Sequence, residues 1–260
     1  MIHPTAIIDA SAKIADDCEI GAYTIIGADV EIGPACWIGP HVVINGPTRI
    51  GRGNRIFQFA SLGDAPQDLK YAGEPTRLEL GDNNIIREYA TMNRGTVDGG
   101  GLTKIGNDNL FMGYTHIAHD CQIANNTIFS NAASLAGHVH VGDWAIVGGL
   151  TGVHQFCKIG AHAITGFQSH VSQDVPPFMT VSGNPLAVHG VNLEGLRRRG
   201  FSRERIAQVR QMHRLLYRDG LTLEAAKAAI GDLRGAVDGG DGDLALLLDF
   251  LEASTRSIVR

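Results

Sequence analysis

The chain has 260 residues, of which 44% are hydrophobic, and a formal net charge of −5. This length and composition allow one large domain or two smaller ones, and the acidic balance argues against a general nucleic-acid-binding protein. The N-terminus, MIHPTAIIDA, lacks the basic start and apolar core of a signal peptide, and no apolar run approaches the roughly 18 residues of a transmembrane helix. The four cysteines, without an export signal, therefore indicate reduced thiols in the cytoplasm.

An aliphatic residue recurs at every sixth position through most of the chain. Isoleucine or leucine occupies eleven consecutive positions at this period over 2–62, and a second apolar series runs over 105–171. A short third series lies between them, over 80–92. An α-helix would space apolar residues by three and four, whereas a period of six is typical of a hexapeptide-repeat parallel β-helix.

The fifth position of each hexad carries a small side chain. All four cysteines fall at this position, and they are Cys18, Cys36, Cys121 and Cys157. They share the register with alanine, threonine and valine. This pattern predicts that the cysteines are buried packing residues and not metal ligands.

Two segments interrupt the period and a third ends it. Residues 64–79 and 98–104 break the ladder, so both are predicted to be loops that leave the solenoid, where functional residues are often found. The ladder ends near the proline-containing segment DVPPFMTVSGNP, and a helical pattern begins at Asn192. The sequence therefore predicts a β-helix over 1–186 and a small helical C-terminal domain over 187–260.

The hexad ladder resembles that of the left-handed β-helix acyltransferases. In that fold three hexads make one triangular coil, so residues 18 apart lie on adjacent coils at the spacing of neighbouring strands, ~4.8 Å. The resemblance implies an all-β solenoid, a left-handed parallel β-helix, combined with an α-helical C-terminal domain.

Five histidines cluster within 116–154, and none occupies an inward-facing position of the hexad. A stacking distance of 18 places His119 next to Gly137 and Asp120 next to His138. A histidine base, an orienting carboxylate and a backbone N–H for an oxyanion are the parts that acyl transfer needs. Another interpretation of His116, His119 and His138 is a zinc site like that of the γ-type carbonic anhydrases, and a non-catalytic scaffold is a third.

Ordered motifs along the whole chain point to one family. They are NGPTRIGRGNRIFQFASLG, QDLKYAGEPTR, NRGTVDGGGLTKIG, HIAHDC, LAGHVHV, VHQFCKIGAH, QDVPPF and NLEGLRRRGFSRE. The chain resembles the UDP-N-acetylglucosamine 3-O-acyltransferases, which begin lipid A synthesis. The resemblance implies transfer of a 3-hydroxyacyl group from acyl carrier protein to the 3-hydroxyl of UDP-N-acetylglucosamine by a homotrimer. A 3-amino sugar nucleotide is the alternative acceptor.

The resemblance also implies roles for individual residues. His119 is implied to be the general base, Asp120 the residue that orients it, and Gly137 the oxyanion N–H donor. Residues implied to contact the acyl group, sugar or nucleotide are Asp68, Lys70, His116, His138, His154, Gln155, Asn192, Glu194 and Arg198. No metal and no cofactor are implied. Asn93 stands where the better-known pattern has histidine, and this departure does not affect the base.

Two further features concern the acyl donor. The segment 197–218 holds eight arginines and one acidic residue, Glu204, which suits an acidic partner such as acyl carrier protein or a phosphate group. Phe167 has an outward-facing register, and in the related family this position limits the length of the acyl chain. His119 and Phe167 are about 2.7 coils apart, or roughly 13 Å at ~4.8 Å per coil, which predicts a chain of roughly ten carbons.

Overall fold

The computed structural model describes all 260 residues as a parallel β-helix followed by four α-helices. None of these helices combines the length and apolar character that a membrane crossing requires. The first thirteen strands are β1 Ile7–Ile8, β2 Lys13–Ile14, β3 Glu19–Ile20, β4 Ile25–Ile26, β5 Val30–Ile32, β6 Trp37–Ile38, β7 Val43–Ile44, β8 Thr48–Ile50, β9 Arg55–Ile56, β10 Ser61–Asp64, β11 Arg77–Leu80, β12 Ile85–Ile86 and β13 Thr91–Asn93.

The remaining elements complete the solenoid and the C-terminal region. The strands are β14 Leu102–Ile105, β15 Leu110–Phe111, β16 His116–Ile117, β17 Gln122–Ile123, β18 Ile128–Phe129, β19 Ser134–Leu135, β20 His140–Val141, β21 Ile146–Val147, β22 Gly152–Val153, β23 Lys158–Ile159, β24 Ile164–Thr165, β25 His170–Val171, β26 Met179–Ser182 and β27 Ala187–Val191. The helices are α1 Leu193–Arg198, α2 Arg203–Tyr217, α3 Leu223–Gly231 and α4 Asp241–Ala253.

Every third strand belongs to the same sheet, so the chain winds around three flat faces. Face 1 runs from β1 to β25, face 2 from β2 to β23, and face 3 from β3 to β24 with β26 and β27 added. Uninterrupted coils pair residues 18 apart, as Ile117 pairs with Leu135 and Leu135 with Val153. The predicted left-handed β-helix is confirmed. We call the edge between faces 1 and 2 edge A, that between faces 2 and 3 edge B, and that between faces 3 and 1 edge C.

The inward-facing ladder forms one continuous core along the solenoid axis. Thirty-nine buried apolar residues belong to it, including stacked Phe111 and Phe129, whose ring centroids are 4.9 Å apart. All four cysteines are buried in this core with free thiols, as their register predicted. Burial raises the pKa of the Cys121 thiol to about 12, so this residue is a packing group and not a thiolate nucleophile.

Both loops leave the solenoid at edge A, because each follows a face 1 strand and precedes a face 2 strand. The loops span 65–76 and 94–101, so Asp64, 77–79 and 102–104, which the sequence assigned to loops, lie instead in β10, β11 and β14. The reason is pairing: β11 hydrogen-bonds with both β8 and β14, which continues face 2 across the insertions. The six-residue period of the aliphatic residues does not show where a strand begins or ends next to a loop.

The C-terminal region begins with a strand. Residues 187–191, which the sequence included in the helical domain, form β27, which pairs antiparallel with β26. The helices then pack around a second core of 12 buried residues. The last residues return to the solenoid: Asp174, which is fully buried, accepts hydrogen bonds from Ser254 Oγ and from the backbone of 255–256, and Val259 joins the solenoid core.

Candidate active site

A cavity of about 550 Å³ lies beside edge A, on the outer surface of face 1. Its walls come from four successive coils and from Gln67 of the first loop. Among its lining residues are His116, His119, Gly137, His154 and Gln155. The structure therefore brings together five of the residues that the sequence nominated, because edge residues 18 apart occupy adjacent coils.

His119 and Asp120 form a hydrogen-bonded pair at this edge. His119 Nδ1 lies 2.8 Å from Asp120 Oδ2, and the Asp120 side chain is only 1% exposed. An ionised carboxylate can only accept, so Nδ1 carries the proton and Nε2 is left with a free lone pair. This tautomer is the one that a general base needs.

Gly137 lies directly against the His119 ring. A Cβ atom at Gly137 would overlap ring atoms of His119, so only glycine allows this approach. The carbonyl of Gly137 accepts from Phe156, whereas its own N–H has no acceptor within the chain. A free N–H next to this histidine is a suitable donor for a developing oxyanion.

Two more histidines flank the pair. His138 stacks on Phe156 at 4.4 Å and meets His119 edge-to-face at 5.1 Å. Burial lowers the pKa of His138, while the Asp120 carboxylate acts in the opposite direction. His116 Nδ1 lies 2.7 Å from Thr91 Oγ1, and burial also lowers the pKa of His116. Both rings are therefore mainly neutral near pH 7 and provide a polar lining.

The predicted residues Asp68 and Lys70 lie in the first loop, next to this cavity. They line a small neighbouring cavity of about 50 Å³ together with Thr96 and Asp98 from the second loop. Asp68 is close enough to His138 to raise its pKa, against the stronger effect of burial. Within one chain these two side chains thus border the site without entering its main cavity.

Asn192, Glu194 and Arg198 lie away from this cavity, at edge B. The Asn192 side chain caps α1 by accepting from Gly195 N–H, and it also donates to the carbonyl of His162. Glu194 and Arg198 form an exposed ion pair at 2.9 Å. A single chain therefore does not bring these three residues to His119.

Phe167 lies at edge C and is 68% exposed, as its register predicted. Its ring edge is 3.3 Å from the position of a Cβ at Gly149, the glycine one coil before it. Asn93, the departure from the family pattern, is buried and donates to the carbonyl of Ala65 at 2.9 Å, which fixes the start of the first loop.

Comparison with known proteins shows to which family this sequence belongs. A model of the bacterial transferase hexapeptide matches residues 1–34, and a model described as UDP N-acetylglucosamine O-acyltransferase, domain 2, matches residues 174–259. The acyl-[acyl-carrier-protein]–UDP-N-acetylglucosamine O-acyltransferase of Verminephrobacter eiseniae is 61% identical over 259 residues, covering 100% of this chain and 99% of that protein. The corresponding protein of Thiobacillus denitrificans is 57% identical with the same coverage.

This chain belongs to the UDP-N-acetylglucosamine O-acyltransferases.

Solved structures of this acyltransferase family have the same fold over the whole chain. The UDP-N-acetylglucosamine O-acyltransferase of Moraxella catarrhalis is 46% identical with a TM-score of 0.96, covering 100% of this chain and 99% of that one. The UDP-N-acetylglucosamine acyltransferase of Francisella novicida is 41% identical with a TM-score of 0.96, covering 100% and 94%. The fold and the family resemblance predicted from the motifs are confirmed.

In this member of the acyltransferase family the cavity also contains residues that the sequence interpretation missed. Ser134 and His170 lie in the column of His116 on face 1, and the spacing of 18 could have found them. Arg256, near the C-terminus, donates to the carbonyl of Gln155 at 3.2 Å and contacts the His154 ring. No spacing rule connects residues 101 positions apart, so only the docked C-terminal tail reveals Arg256.

The potential metal ligands at edge A differ from the histidine triad considered from the sequence. Ligand atoms of His119, Asp120 and His138 lie within 4.8 Å of one another, and His116 is not in this group. Both oxygens of Asp120 already accept protein hydrogen bonds, from Thr96 N–H, Thr96 Oγ1 and His119 Nδ1. A carboxylate held in this way is better suited to orient His119 than to bind a cation.

Proposed function

We propose that this enzyme transfers a 3-hydroxyacyl group from acyl carrier protein to the 3-hydroxyl of UDP-N-acetylglucosamine, the first step of lipid A biosynthesis. The family relationship supports the substrates, since curated relatives of at least 53% identity carry this activity in their names. The observation that carries the mechanism is the His119–Asp120 pair, which leaves His119 Nε2 free beside the unpaired N–H of Gly137.

The reaction follows from these positions. His119 Nε2 removes the proton of the sugar hydroxyl while the hydroxyl oxygen forms a bond to the thioester carbonyl carbon. The Gly137 N–H then stabilises the resulting oxyanion, and Asp120 stabilises the imidazolium. Collapse of the tetrahedral intermediate breaks the carbon–sulfur bond, and the leaving thiolate takes the proton from His119. No cofactor and no metal take part in this sequence.

The direct experiment is turnover of a 3-hydroxyacyl carrier-protein thioester with UDP-N-acetylglucosamine. Product formation is expected to continue after dialysis against a chelator. Activity that disappears with the chelator and returns with zinc would reject the metal-free mechanism, and absence of acyl transfer would favour a non-catalytic scaffold. Running a 3-amino analogue beside the natural sugar nucleotide measures whether the alternative acceptor is used.

We also propose that the active enzyme is a homotrimer with each site completed by a neighbouring copy. Asn192, Glu194 and Arg198, whose motif implies nucleotide contact, lie at edge B and not at the cavity of their own chain. Edge C in addition exposes a stack of large aromatic rings that a second copy would cover. Light scattering is expected to give three times the 27.7 kDa mass of the chain.

The arginines of 197–218 support acyl carrier protein as the donor, but they are not equivalent. Arg205 forms two 2.8 Å hydrogen bonds with Asp243 and lies over the Phe201 ring, so it joins α2 to α4. Arg203 and Arg210 are exposed on the same side of α2 and have no ion-pair partner. These two are the better candidates for recognition of an acidic protein.

A further inference from the structure

The second loop at edge A folds back over the Asp120 carboxylate. Thr96 donates twice to it, from its backbone N–H to Oδ1 at 2.9 Å and from its hydroxyl to Oδ2 at 2.6 Å. His119 Nδ1 donates to the same Oδ2 at 2.8 Å. One carboxylate oxygen is therefore shared between the catalytic histidine and a loop residue that the sequence interpretation did not select.

The loop geometry directs the threonine proton toward Asp120. Thr96 Oγ1 accepts from the N–H of Gly99 at 3.3 Å, so its single hydroxyl proton is free to point at Oδ2. A Cβ at Gly99 would overlap the Asp120 carboxylate, so glycine there lets the loop lie directly on the carboxylate. With the Asp120 side chain only 1% exposed, water does not compete for these positions.

We propose that Thr96 is a positioning residue for acyl transfer. Its hydroxyl donates to Asp120 Oδ2, the oxygen that also accepts from His119. This hydrogen bond fixes the carboxylate and reduces the negative charge that the carboxylate presents to the imidazole. This inference rests on the proposed role of His119 as general base. A donated hydrogen bond spreads the charge of an anion, so removing it strengthens the attraction between Asp120 and a protonated His119.

Other charged and titratable groups face this pair and set the background for its pH dependence. His138 Nε2 lies 3.7 Å from Asp120 Oδ2, and burial lowers the His138 pKa, so it adds little charge near neutral pH. His116 is near enough for its own pKa to be affected by His119. The two loops contribute the carboxylates of Asp68 and Asp98 on the His138 side. None of these groups contacts the Thr96 hydroxyl, so its removal leaves them in place.

The test is the pH profile of kcat/KM for Thr96→Val. The acidic limb, where the base becomes protonated, is expected to move to higher pH by roughly half to one unit, because Asp120 then favours the imidazolium more strongly. The plateau kcat is expected to fall about tenfold, since the carboxylate loses a charge-assisted hydrogen bond, while KM for both substrates stays within about twofold. If Thr96→Val does not fold, Thr96→Ala gives the same measurement.

Two variants separate positioning from general structural damage. Thr96→Ser keeps the hydroxyl and is expected to restore both the pH limb and kcat. Thr103→Val is the matched control, because the Thr103 hydroxyl accepts from the Asp120 backbone N–H at 2.8 Å and does not contact the carboxylate. It is expected to leave the acidic limb unmoved.

An unmoved acidic limb in folded Thr96→Val, or a serine variant that fails to restore it, would overturn the inference. A loss of rate accompanied only by a lower melting temperature would likewise assign Thr96 a structural role. His119→Ala in the same series distinguishes the proposed role of His119 as the base from the proposed role of Thr96. If that variant keeps normal activity, the proposed base is wrong, whereas an inactive His119→Ala beside a normal Thr96→Val rejects only the role of Thr96.

Discussion

Edges A and C of the solenoid share one backbone conformation and carry opposite chemistry. At both edges the third residue of each turn has a positive φ, for example 60° at Asp120 and 61° at Tyr89. At edge A these positions hold Asp120, His138 and Phe156 beside two loops. At edge C the stack consists of Tyr23, His41, Phe59, Tyr89 and Tyr114, with successive ring centroids 4.7–5.4 Å apart.

The difference shows that the hexad repeat determines the backbone conformation of the edges but not the chemistry of their outward-facing side chains. The edge C tyrosines and Phe59 are 44–62% exposed, and flat rings in register offer an apolar strip that suits another protein surface. At edge A the second loop instead buries the Asp120 carboxylate, and the first loop borders the cavity. Reactive groups need such enclosure, because hydrogen bonds strengthen when water is excluded.

The largest effect is expected from removing the proposed base at edge A. His119→Ala should lower kcat by a factor on the order of a hundred or more, because His119 is the histidine hydrogen-bonded to the orienting Asp120 carboxylate, whereas His138 Nε2 lies 3.7 Å from it. The fold should remain, since the side chain lies outside the core. His140→Ala is the matched control. It removes an exposed histidine that lies on face 2, one coil further along the solenoid. Steady-state kinetics and a melting curve test both, and near-normal turnover in folded His119→Ala would reject the assignment.

A charged side chain in the edge C stack should have the next largest effect. Tyr89→Asp should dissociate the proposed trimer and reduce activity by about tenfold or more in dilute enzyme, because a charged group buried against another copy is strongly disfavoured. Tyr89→Phe keeps the ring and serves as the control. Light scattering and activity measured over a range of enzyme concentrations decide the outcome, and an unchanged mass for Tyr89→Asp would remove edge C from the interface.

A smaller effect is expected from changing the exposed arginines of α2 that have no ion-pair partner. Reversing charge at Arg203 and Arg210 should raise KM for acyl carrier protein several-fold and leave KM for the sugar nucleotide unchanged, since rim charges mainly guide association. The wild-type KM for the carrier should also rise with salt, because ions screen exposed charges over about 10 Å at 0.1 M. Arg205→Glu is excluded from this test because its ion pair with Asp243 joins two helices. Affinity that is insensitive to salt and to both reversals would contradict the proposed surface.

The smallest effect concerns the choice among acyl donors. If Phe167 limits chain length, Phe167→Gly should shift preference by a few-fold toward donors longer than roughly ten carbons, because the ring no longer closes the end of the groove. The shortest donors should remain usable, and Phe167→Leu should give an intermediate ranking. Competition between 3-hydroxyacyl carrier-protein thioesters of different length measures this, and identical rankings for wild type and Phe167→Gly would show that Phe167 only packs against a neighbour.

Much of the site follows from the repeat, because a fixed spacing of 18 converts sequence separation into spatial proximity. The proximity of His119 to Gly137 and of Asp120 to His138 was predictable in this way. Thr96 and Arg256 were not predictable, since one lies in a loop that breaks the register and the other in a tail beyond the helices. Register also says nothing about side-chain partners, which is why the internal ion pair of Arg205 emerged only from the structure.

The period, the burial of the cysteines and the columns at the edges follow from the sequence, because the first and fifth residues of each hexad face the core and the others face outward. The sequence also determined the family, through motifs that keep their order over the whole chain. Tertiary structure decided that both loops meet at edge A, that the second loop holds the Asp120 carboxylate, and that α1 lies at a different edge from the cavity. These arrangements depend on contacts between segments with no fixed spacing, which the packing of the folded chain alone establishes.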